Sequence, residues 1–361
     1  MYAAYGVASP FLPAFLSERG VAPEELGLVL AAGTAIRLVA APVAARIADL
    51  AEALRAVMVI CISLAAAVTL AYGAGRGFWF FLALTLLHAA FLAPMTVLAD
   101  ALALKQRFEY GWARGAGSAA FIVGTLISGQ TVGAFGLQAI VWSQAALLAL
   151  AACAGMLVPE LVHERPAPAA RAPMAGVRIV LRIPAFRYLV LAAALILGSH
   201  AMHDAFAVIR WNAAGVNAGT ASMLWSLAVV AEVAVFFALG PALIRWLTPA
   251  GVIALAALAG VARWSVMALS TDLVALALVQ PLHGITFALL HLSCMRLLAR
   301  IVPAGLEGTA QAIYATVGIG AASALLTLLS GILYGQLGAY GFWAMAALCA
   351  AALPLAFKLR A

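Results

Sequence analysis

The sequence predicts an all-α integral membrane protein with twelve transmembrane helices in two related halves. The first observation is composition, because the 361-residue chain is 66% hydrophobic and has a mean hydropathy of +1.11. The second is charge: only 9% of the residues are charged, against about 25% in soluble domains. A soluble fold of this size has too little interior to hide so much apolar surface. The third is a repeat that relates the two halves. A soluble enzyme, a secreted disulfide-rich domain and a disordered chain are thereby excluded.

Twelve apolar segments are long enough to be membrane-spanning helices, for which about 20 residues are needed. Charge clusters and Gly/Pro positions divide the chain into spans 1 to 12, at approximately 1–17, 24–45, 55–74, 77–99, 112–134, 138–158, 186–209, 217–239, 249–270, 272–295, 306–328 and 338–357. Span 1 is short, which leaves open a start upstream of Met1 or a truncated helix. The predicted domains are a first six-helix bundle (1–158), an exposed cytoplasmic linker rich in Pro and Arg (159–185), and a second bundle (186–361).

The basic residues predict the orientation of the chain. With both termini in the cytoplasm, fifteen of the 20 lysines and arginines lie on the inner side, and only Arg19, Arg76 and Arg210 lie on the outer side. Cytoplasmic loops of membrane proteins carry such an excess. The net charge of +7 is therefore interpreted as a topology signal, and no nucleic-acid partner is expected because the basic residues form no continuous face.

Two motifs recur in spans that are six apart. The pattern Ser-Gly-x3-Gly-x2-Gly begins at Ser128, at the end of span 5, and at Ser330, at the end of span 11, an offset of 202 residues. Leu-His occurs at Leu87 in span 4 and at Leu282 in span 10, an offset of 195 residues. Chance glycine spacing in a Gly-rich chain is the alternative to a duplication. Small residues four apart let helix backbones approach closely.

Charged residues within the spans are the main candidates for function, since each costs about 2.5–3.5 kcal/mol at the bilayer centre. Glu232 in span 8, Arg263 in span 9 and His283 in span 10 bring an acid, a base and an imidazole to similar depth. Burial favours the protonated carboxyl and a nearby guanidinium favours the carboxylate, so a mobile arginine can switch Glu232 between binding and releasing a proton. We therefore predict these three as the proton-coupling residues. A purely structural ion pair between helices is the alternative.

Further polar and aromatic side chains are predicted to line a substrate cavity. His200, His203 and Asp204 lie at i, i+3 and i+4 and so share one face of span 7. A metal site there is the less favoured alternative, because it needs additional ligands. The remaining candidates for the cavity are Arg37, His88, Phe287 and Tyr314. Trp211, at the end of a span, is predicted to be an interfacial anchor.

Asp100 and Arg114, at the inner ends of spans 4 and 5, are predicted to form a gate or a hairpin salt bridge. Chemistry beyond transport is not expected. The Gly-rich run that begins at Gly115 has no phosphate-loop lysine after it, so nucleotide hydrolysis is excluded. We expect no catalytic residue, no cofactor and no bound metal.

The residues resemble the major facilitator superfamily over nearly the whole chain, and within it the lactose-permease-like proton symporters that include the 3-phenylpropionate permease group. The motifs that carry the resemblance are Tyr5-Gly6 with Pro10-Phe11-Leu12-Pro13, Arg37-Leu38-Val39 with Pro42, Leu282-His283-Gly284-x-Thr286-Phe287-x3-His291-Leu292-x2-Met295-Arg296, and Thr309-Ala310-Gln311-Ala312 with Tyr314.

This resemblance implies two pseudo-symmetric six-helix bundles around a central cavity. Glu232, Arg263 and His283 look like the lactose permease's acid, arginine and histidine, but the second acid of that permease is Thr286 here. The proton carrier is accordingly expected to be Glu232. The superfamily's motif between spans 2 and 3 survives mainly as Asp49, with Glu52 where glycine is expected, so the resemblance implies a gating role for Asp49.

Together these observations predict a secondary active transporter in the cell inner membrane, with both termini cytoplasmic. It is expected to take up a small organic solute with protons by alternating access, and an aromatic or other carboxylic acid is the expected substrate. A sugar or a nucleoside stays open as the substrate. A proton-driven exporter on the same fold and a non-transporting membrane sensor are the alternative functions. The expected partners are the small-molecule substrate, protons and the lipid bilayer, and the protein is expected to be a monomer.

Overall fold

The computed structural model describes residues 1–105, 110–159 and 174–359, with side chains over 1–103, 115–159 and 176–359. Within these ranges the regular structure is entirely helical. Among the described residues, ten segments are long and apolar enough to cross a membrane. The last of them, Glu307–Lys358, is 52 residues long and holds spans 11 and 12. Span 1 consists of two seven-residue helices. This division accounts for the twelve predicted spans.

Spans 1 to 6 form the first half of the chain. Their helices are Tyr2–Ala8 and Leu12–Glu18 (span 1), Pro23–Leu50 (span 2), Leu54–Ala71 with the 3-10 turn Tyr72–Ala74 (span 3), Phe78–Leu92 and Pro94–Lys105 (span 4), Tyr110–Phe135 (span 5) and Ala139–Met156 (span 6).

Spans 7 to 12 form the second half and contain three π-helical segments. Their helices are Pro184–Gly198 and Ala201–Ala213 (span 7), Ala218–Ala234, π Val235–Leu239 and Gly240–Trp246 (span 8), Pro249–Leu269 (span 9), Leu273–Val279, π Gly284–Leu289 and Leu290–Ile301 (span 10), Glu307–Ile313, π Tyr314–Ala321 and Ala322–Leu337 (span 11), and Phe342–Lys358 (span 12), which follows the 3-10 turn Gly338–Gly341.

The described residues form two compact units. The first unit contains residues 1–165 together with 205–226, and the second contains 166–204 together with 227–361. The predicted bundle boundaries at 158 and 186 stay a prediction. Part of the predicted linker, Met174–Arg182, is a helix. Val180 buries one face of that helix in the core of the second unit, while Arg178 and Arg182 are exposed.

Four spans are interrupted, and they correspond in pairs between the two halves. Span 1 breaks at Pro10 and span 4 breaks before Pro94, where proline removes a backbone donor and clashes with the preceding turn. Span 7 breaks after Gly198, and span 10 breaks at Pro281. Interrupted helices within a membrane protein persist where they are buried in protein or line a cavity, because their freed backbone groups need partners.

Span 1 packs against span 5 with almost no side chain between the backbones. A Cβ atom on Gly124 would lie 2.2 Å from the carbonyl oxygen of Ala3. Two hydroxyls of span 5 then satisfy carbonyls near the break in span 1: Thr125 Oγ1 donates to Gly6 O at 3.0 Å and Ser128 Oγ donates to Val7 O at 2.8 Å. The repeated motif that begins at Ser128 thus lies where two backbones meet.

The repeat has a different partner in the second half. Ser330 Oγ donates to Leu326 O, one turn earlier in its own helix, at 2.7 Å. The break in span 7 is instead satisfied by Ser199, whose Oγ donates to Ile196 O at 2.6 Å.

The backbone at the end of span 2 explains why glycine is expected at the position of Glu52. Glu52 has φ +53°, a left-handed conformation that favours glycine. Ala53 N donates to Ala48 O at 3.1 Å and Glu52 N donates to Asp49 O at 3.4 Å. These two bonds form a Schellman C-terminal motif, which commonly places glycine at the position that Glu52 occupies.

The prediction for Trp211 is wrong. Its side chain is fully buried, so it is a core residue of the first unit and not an anchor in the membrane interface. A tryptophan at a span end carries the same sequence signal in both environments.

Candidate functional site

A chain of polar contacts in the second unit joins the three predicted proton-coupling residues. Glu232 Oε2 lies 3.2 Å from His283 Nε2, and Arg263 Nη1 lies 3.1 Å from His283 Nδ1. Arg263 Nη2 also donates to Gln280 Oε1 at 2.9 Å. Spans 8, 9 and 10 therefore bring together side chains that are up to 51 positions apart in sequence. Two of the three spans are π-helical beside the site, a distortion often found at functional sites.

Arg263 is a fully buried cation whose hydrogen-bond partners are neutral. Its side chain is 0% exposed, and its described partners are the imidazole of His283 and the amide of Gln280. Its Nε has no hydrogen-bond partner among the side chains that the structure describes. A buried charge needs an opposite charge or a full set of hydrogen bonds to offset desolvation. The guanidinium also lies over the Trp264 ring, 4.6 Å from its centroid, so neutral groups surround this buried cation.

The contact with Arg263 fixes which nitrogen of His283 carries a proton. A guanidinium has only N–H donors, so Nδ1 of His283 must be the acceptor in the 3.1 Å contact. The imidazole is then neutral with its proton on Nε2, and Nε2–H donates to Glu232 Oε2. Adding a proton at Nδ1 would break the bond to Arg263 and place two cations side by side. His283 thus connects Glu232 to Arg263, and the roles of the three residues in proton coupling stay a prediction.

Glu232 is accessible where Arg263 is not. The Glu232 and His283 side chains are 25% and 17% exposed. Thr286, which stands where the lactose permease has its second acid, is buried and donates to Leu282 O at 3.1 Å in its own helix. The hydroxyl of Thr286 is thus used locally and offers no acidic proton.

Aromatic side chains and a second histidine lie around the polar contacts of Glu232, His283 and Arg263. His283 stacks on Phe287 with ring centroids 5.4 Å apart and an interplanar angle of 7°. The His200 ring lies 4.9 Å from that of His283 and 5.3 Å from that of Trp264. Trp264 Nε1 donates to Ser199 Oγ at 2.8 Å, which ties span 9 to the break in span 7. His200 and Phe287 thus lie next to the predicted proton-coupling residues.

The three predicted groups on span 7 do not share one environment. His200 and His203 are buried, whereas the side chain of Asp204 is 63% exposed although its Oδ1 lies 3.3 Å from His203 Nδ1. No set of three or more His, Cys, Asp or Glu side chains in the described ranges is arranged to hold a metal ion. The break in the helix at Ser199 turns His200 away from the regular spacing on which the one-face prediction depended.

Tyr314 of span 11 forms a second polar contact, with a residue further along span 10. Its side chain is buried, and its hydroxyl lies 3.2 Å from His291 Nδ1. His291 in turn packs against Phe236, with ring centroids 6.3 Å apart. Tyr314 therefore contacts span 10 two turns away from His283 and does not join the Glu232 chain directly.

The first unit holds a separate polar group around Arg37. Arg37 is the fifteenth of the 28 residues of span 2, about 20 Å from either end, and its side chain is exposed. Tyr5, Tyr72 and His88 lie within electrostatic range of its guanidinium. His88 is buried, its ring centroid lies 5.7 Å from that of Tyr72, and its Nε2 has no described hydrogen-bond partner. Charged side chains at this depth face water and not lipid, and the place of Arg37 in a substrate cavity stays a prediction.

The gating residues are only partly described. Asp49 is exposed near the end of span 2, and Asp100 is half-buried near the end of span 4. The side chain of Arg114 lies outside the described residues, so the Asp100–Arg114 pair stays a prediction.

Sequence reasoning missed Gln280 and Ser199. Both are buried and uncharged, so a search for charges within spans passes over them. Gln280 directly precedes Pro281 at the break of span 10, and an amide at a helix break was the available signal.

Comparisons with known proteins agree with this architecture. The model of the MFS_1 like family matches residues 1–345. A probable 3-phenylpropionic acid transporter of Escherichia coli (strain K12) is 34% identical over 98% of this chain and 93% of its own length. The chain belongs to this family of the major facilitator superfamily.

Two further proteins are more distant in sequence. The maltose permease of Geobacillus stearothermophilus is 24% identical over 92% of this chain and 85% of that protein. The crystal structure of the nucleoside transporter NupG superposes with a TM-score of 0.86 over 99% of this chain and 95% of that chain, at 13% identity. That likeness concerns the fold. The protein is thus a multi-pass membrane transporter of the major facilitator kind, as the resemblance implied.

Proposed function

We propose that this major facilitator protein couples proton movement to the uptake of an aromatic or other carboxylic acid by alternating access. The observation that carries the proposal is the chain Glu232–His283–Arg263–Gln280, in which only Glu232 is both acidic and accessible. We place the protein in the cell inner membrane with both termini cytoplasmic, on the basis of the distribution of lysine and arginine.

In this mechanism Glu232 binds the transported proton and His283 holds the carboxyl in place. The carboxylate accepts from His283 Nε2–H with Oε2, which leaves its other oxygen available for a proton. Arg263 keeps His283 in the tautomer that donates to Glu232. Glu232 is joined to Arg263 through His283. When Glu232 is protonated, its negative charge no longer offsets that of Arg263, so the affinity of Arg263 for the substrate anion rises.

Two arginines are candidates for the substrate carboxylate. Arg37 is exposed at mid-depth, whereas Arg263 is fully buried and bonded to neutral groups. We assign first contact with the carboxylate to Arg37, because a guanidinium binds a carboxylate through paired charge-assisted hydrogen bonds and Arg37 is the accessible one. The similarity to the probable 3-phenylpropionic acid transporter, which is 34% identical, supports an aromatic acid as the substrate class.

The test is a substrate panel in proteoliposomes with an imposed pH gradient. It uses 3-phenylpropionic acid, its uncharged amide, maltose and a nucleoside. We expect accumulation of the acid that grows with the gradient, little uptake of the amide, and a raised KM for the acid in Arg37→Gln.

Other outcomes would contradict parts of the proposal. Equal uptake of the amide would exclude recognition of the carboxylate. Uptake of the sugar or nucleoside alone would exclude the substrate class. The direction of transport in whole cells distinguishes the exporter alternative. Accumulation of labelled acid indicates an importer, and loss of labelled acid against its gradient indicates an exporter. Binding without movement of any solute would favour the sensor.

A further inference from the structure

A basic pocket lies in the second unit, away from the Glu232 chain. It has a volume of about 220 Å³ and lies between the connection of spans 8 and 9 and the end of span 10. Arg245, Arg296 and Arg300 contribute to its lining, and none of its lining residues is acidic. Three cations around one cavity repel one another unless an anion is present, and nothing in the predicted transport mechanism uses them.

The three arginines do not have the same role. Arg296 is half-buried, and its Nη1 donates to the carbonyl oxygen of Ile244 at 2.6 Å, which ties span 10 to the end of span 8. Arg245 and Arg300 are exposed. Span 9 begins at Pro249 in the same pocket, so the partial positive charge at the start of a 21-residue helix adds to that of the arginines. Arg296 is therefore structural, and the other two are available to bind.

The position of the pocket indicates the source of the anion. Trp246, which also lines it, is 87% exposed, and Phe237 and Leu239 in the same span are exposed as well. An exposed tryptophan that follows an exposed apolar face marks the level where lipid headgroups meet the hydrocarbon. Basic pockets between transmembrane helices at the cytoplasmic surface bind phosphate-bearing headgroups.

We propose that this pocket binds the phosphate of an anionic phospholipid headgroup. Arg245 and Arg300 would supply the charge-assisted hydrogen bonds, which guanidinium groups make to phosphate in paired geometry. The acyl chains would lie along the exposed face that ends at Trp246. Because spans 8 and 10 carry Glu232 and His283, a lipid bound here would hold together the inner ends of the two spans that bear the proton-coupling pair.

The test is titration of the purified full-length protein with phosphatidylglycerol, with binding followed by native mass spectrometry. The variant Arg245→Gln/Arg300→Gln leaves Arg296 in place, and we expect its affinity for the lipid to fall about 30-fold. The matched control Arg182→Gln/Arg187→Gln removes the same charge from exposed residues of the same unit outside the pocket, and its affinity should stay close to the parent's.

Two results would overturn the proposal. One is an equal loss of lipid affinity in the pocket variant and in the control, since non-specific attraction between the lipid and basic residues would then explain the binding. The other is unchanged affinity in the pocket variant. A second titration replaces phosphatidylglycerol with inorganic phosphate. If phosphate binds the parent protein as tightly as the lipid does, the ligand is a soluble anion and the lipid proposal is refuted. Should the double variant fail to fold, Arg300→Gln alone is expected to weaken binding about fivefold, and no weakening would refute the proposal.

Discussion

Gln280 is the residue on which the geometry of the proposed coupling site most depends. It is fully buried and accepts a hydrogen bond from Arg263 Nη2 at 2.9 Å. Gln280→Leu keeps the volume but removes the acceptor. A hydrogen bond to a charged group contributes about 1.5–3 kcal/mol, and Arg263 Nε already has no hydrogen-bond partner in the described part of the chain. We therefore expect the free energy of unfolding to fall by about 2–3 kcal/mol.

The assay is unfolding of purified protein in mixed micelles, followed by tryptophan fluorescence. The matched control is Gln144→Leu, which removes a buried amide of span 6 that bonds no guanidinium in the described part of the chain. Gln280→Glu should restore the stability lost in Gln280→Leu, since a carboxylate pairs with Arg263. It should also slow transport, because a fixed anion then occupies the arginine. Stability of Gln280→Leu within about 0.5 kcal/mol of the parent would refute the proposed role of this amide.

Three further predictions follow from the packing. Gly124→Ala should lower the unfolding free energy by about 2–3 kcal/mol in the same assay, because its Cβ would lie 2.2 Å from Ala3 O. The control is Gly133→Ala in the same helix, where a Cβ meets nothing within 4 Å and stability should not change. Equal stability of the two variants would contradict the close packing of spans 1 and 5. Glu52→Gly should raise stability by about 1 kcal/mol by relieving a left-handed backbone, and a lower midpoint of thermal unfolding would count against that conformation. Thr286→Val should leave uphill uptake intact because its hydroxyl bonds only its own helix, and loss of uptake would restore this position as a coupling residue.

Much of the fold could be predicted because the relevant signals are local. The twelve apolar segments, the prolines at breaks and the two-half repeat are all visible in the sequence, since helix formation and membrane insertion depend on neighbouring residues. The neighbourhood of Glu232, Arg263 and His283 was also predictable, because buried charges are rare enough to stand out and adjacent spans commonly pack together.

The remaining features depend on tertiary contacts. The π-helical turns beside Glu232 and His283 have no composition signal. The buried state of Trp211, the pairing of Trp264 with Ser199, and the exposure of Asp204 beside a buried His203 each arise from how helices pack. Gln280 carries no charge, so its importance emerges only from the guanidinium placed 2.9 Å away.

The most direct test of the central claim is uphill transport by Glu232→Gln in proteoliposomes. Glutamine preserves the size of the side chain and an oxygen acceptor for His283 Nε2–H, but it cannot exchange a proton. We predict that accumulation of the acid driven by a pH gradient is lost while equilibrium exchange of labelled for unlabelled acid continues, and the exchange arm also confirms that the variant is folded. Gradient-driven accumulation that persists in Glu232→Gln would contradict the assignment of Glu232 as the proton carrier.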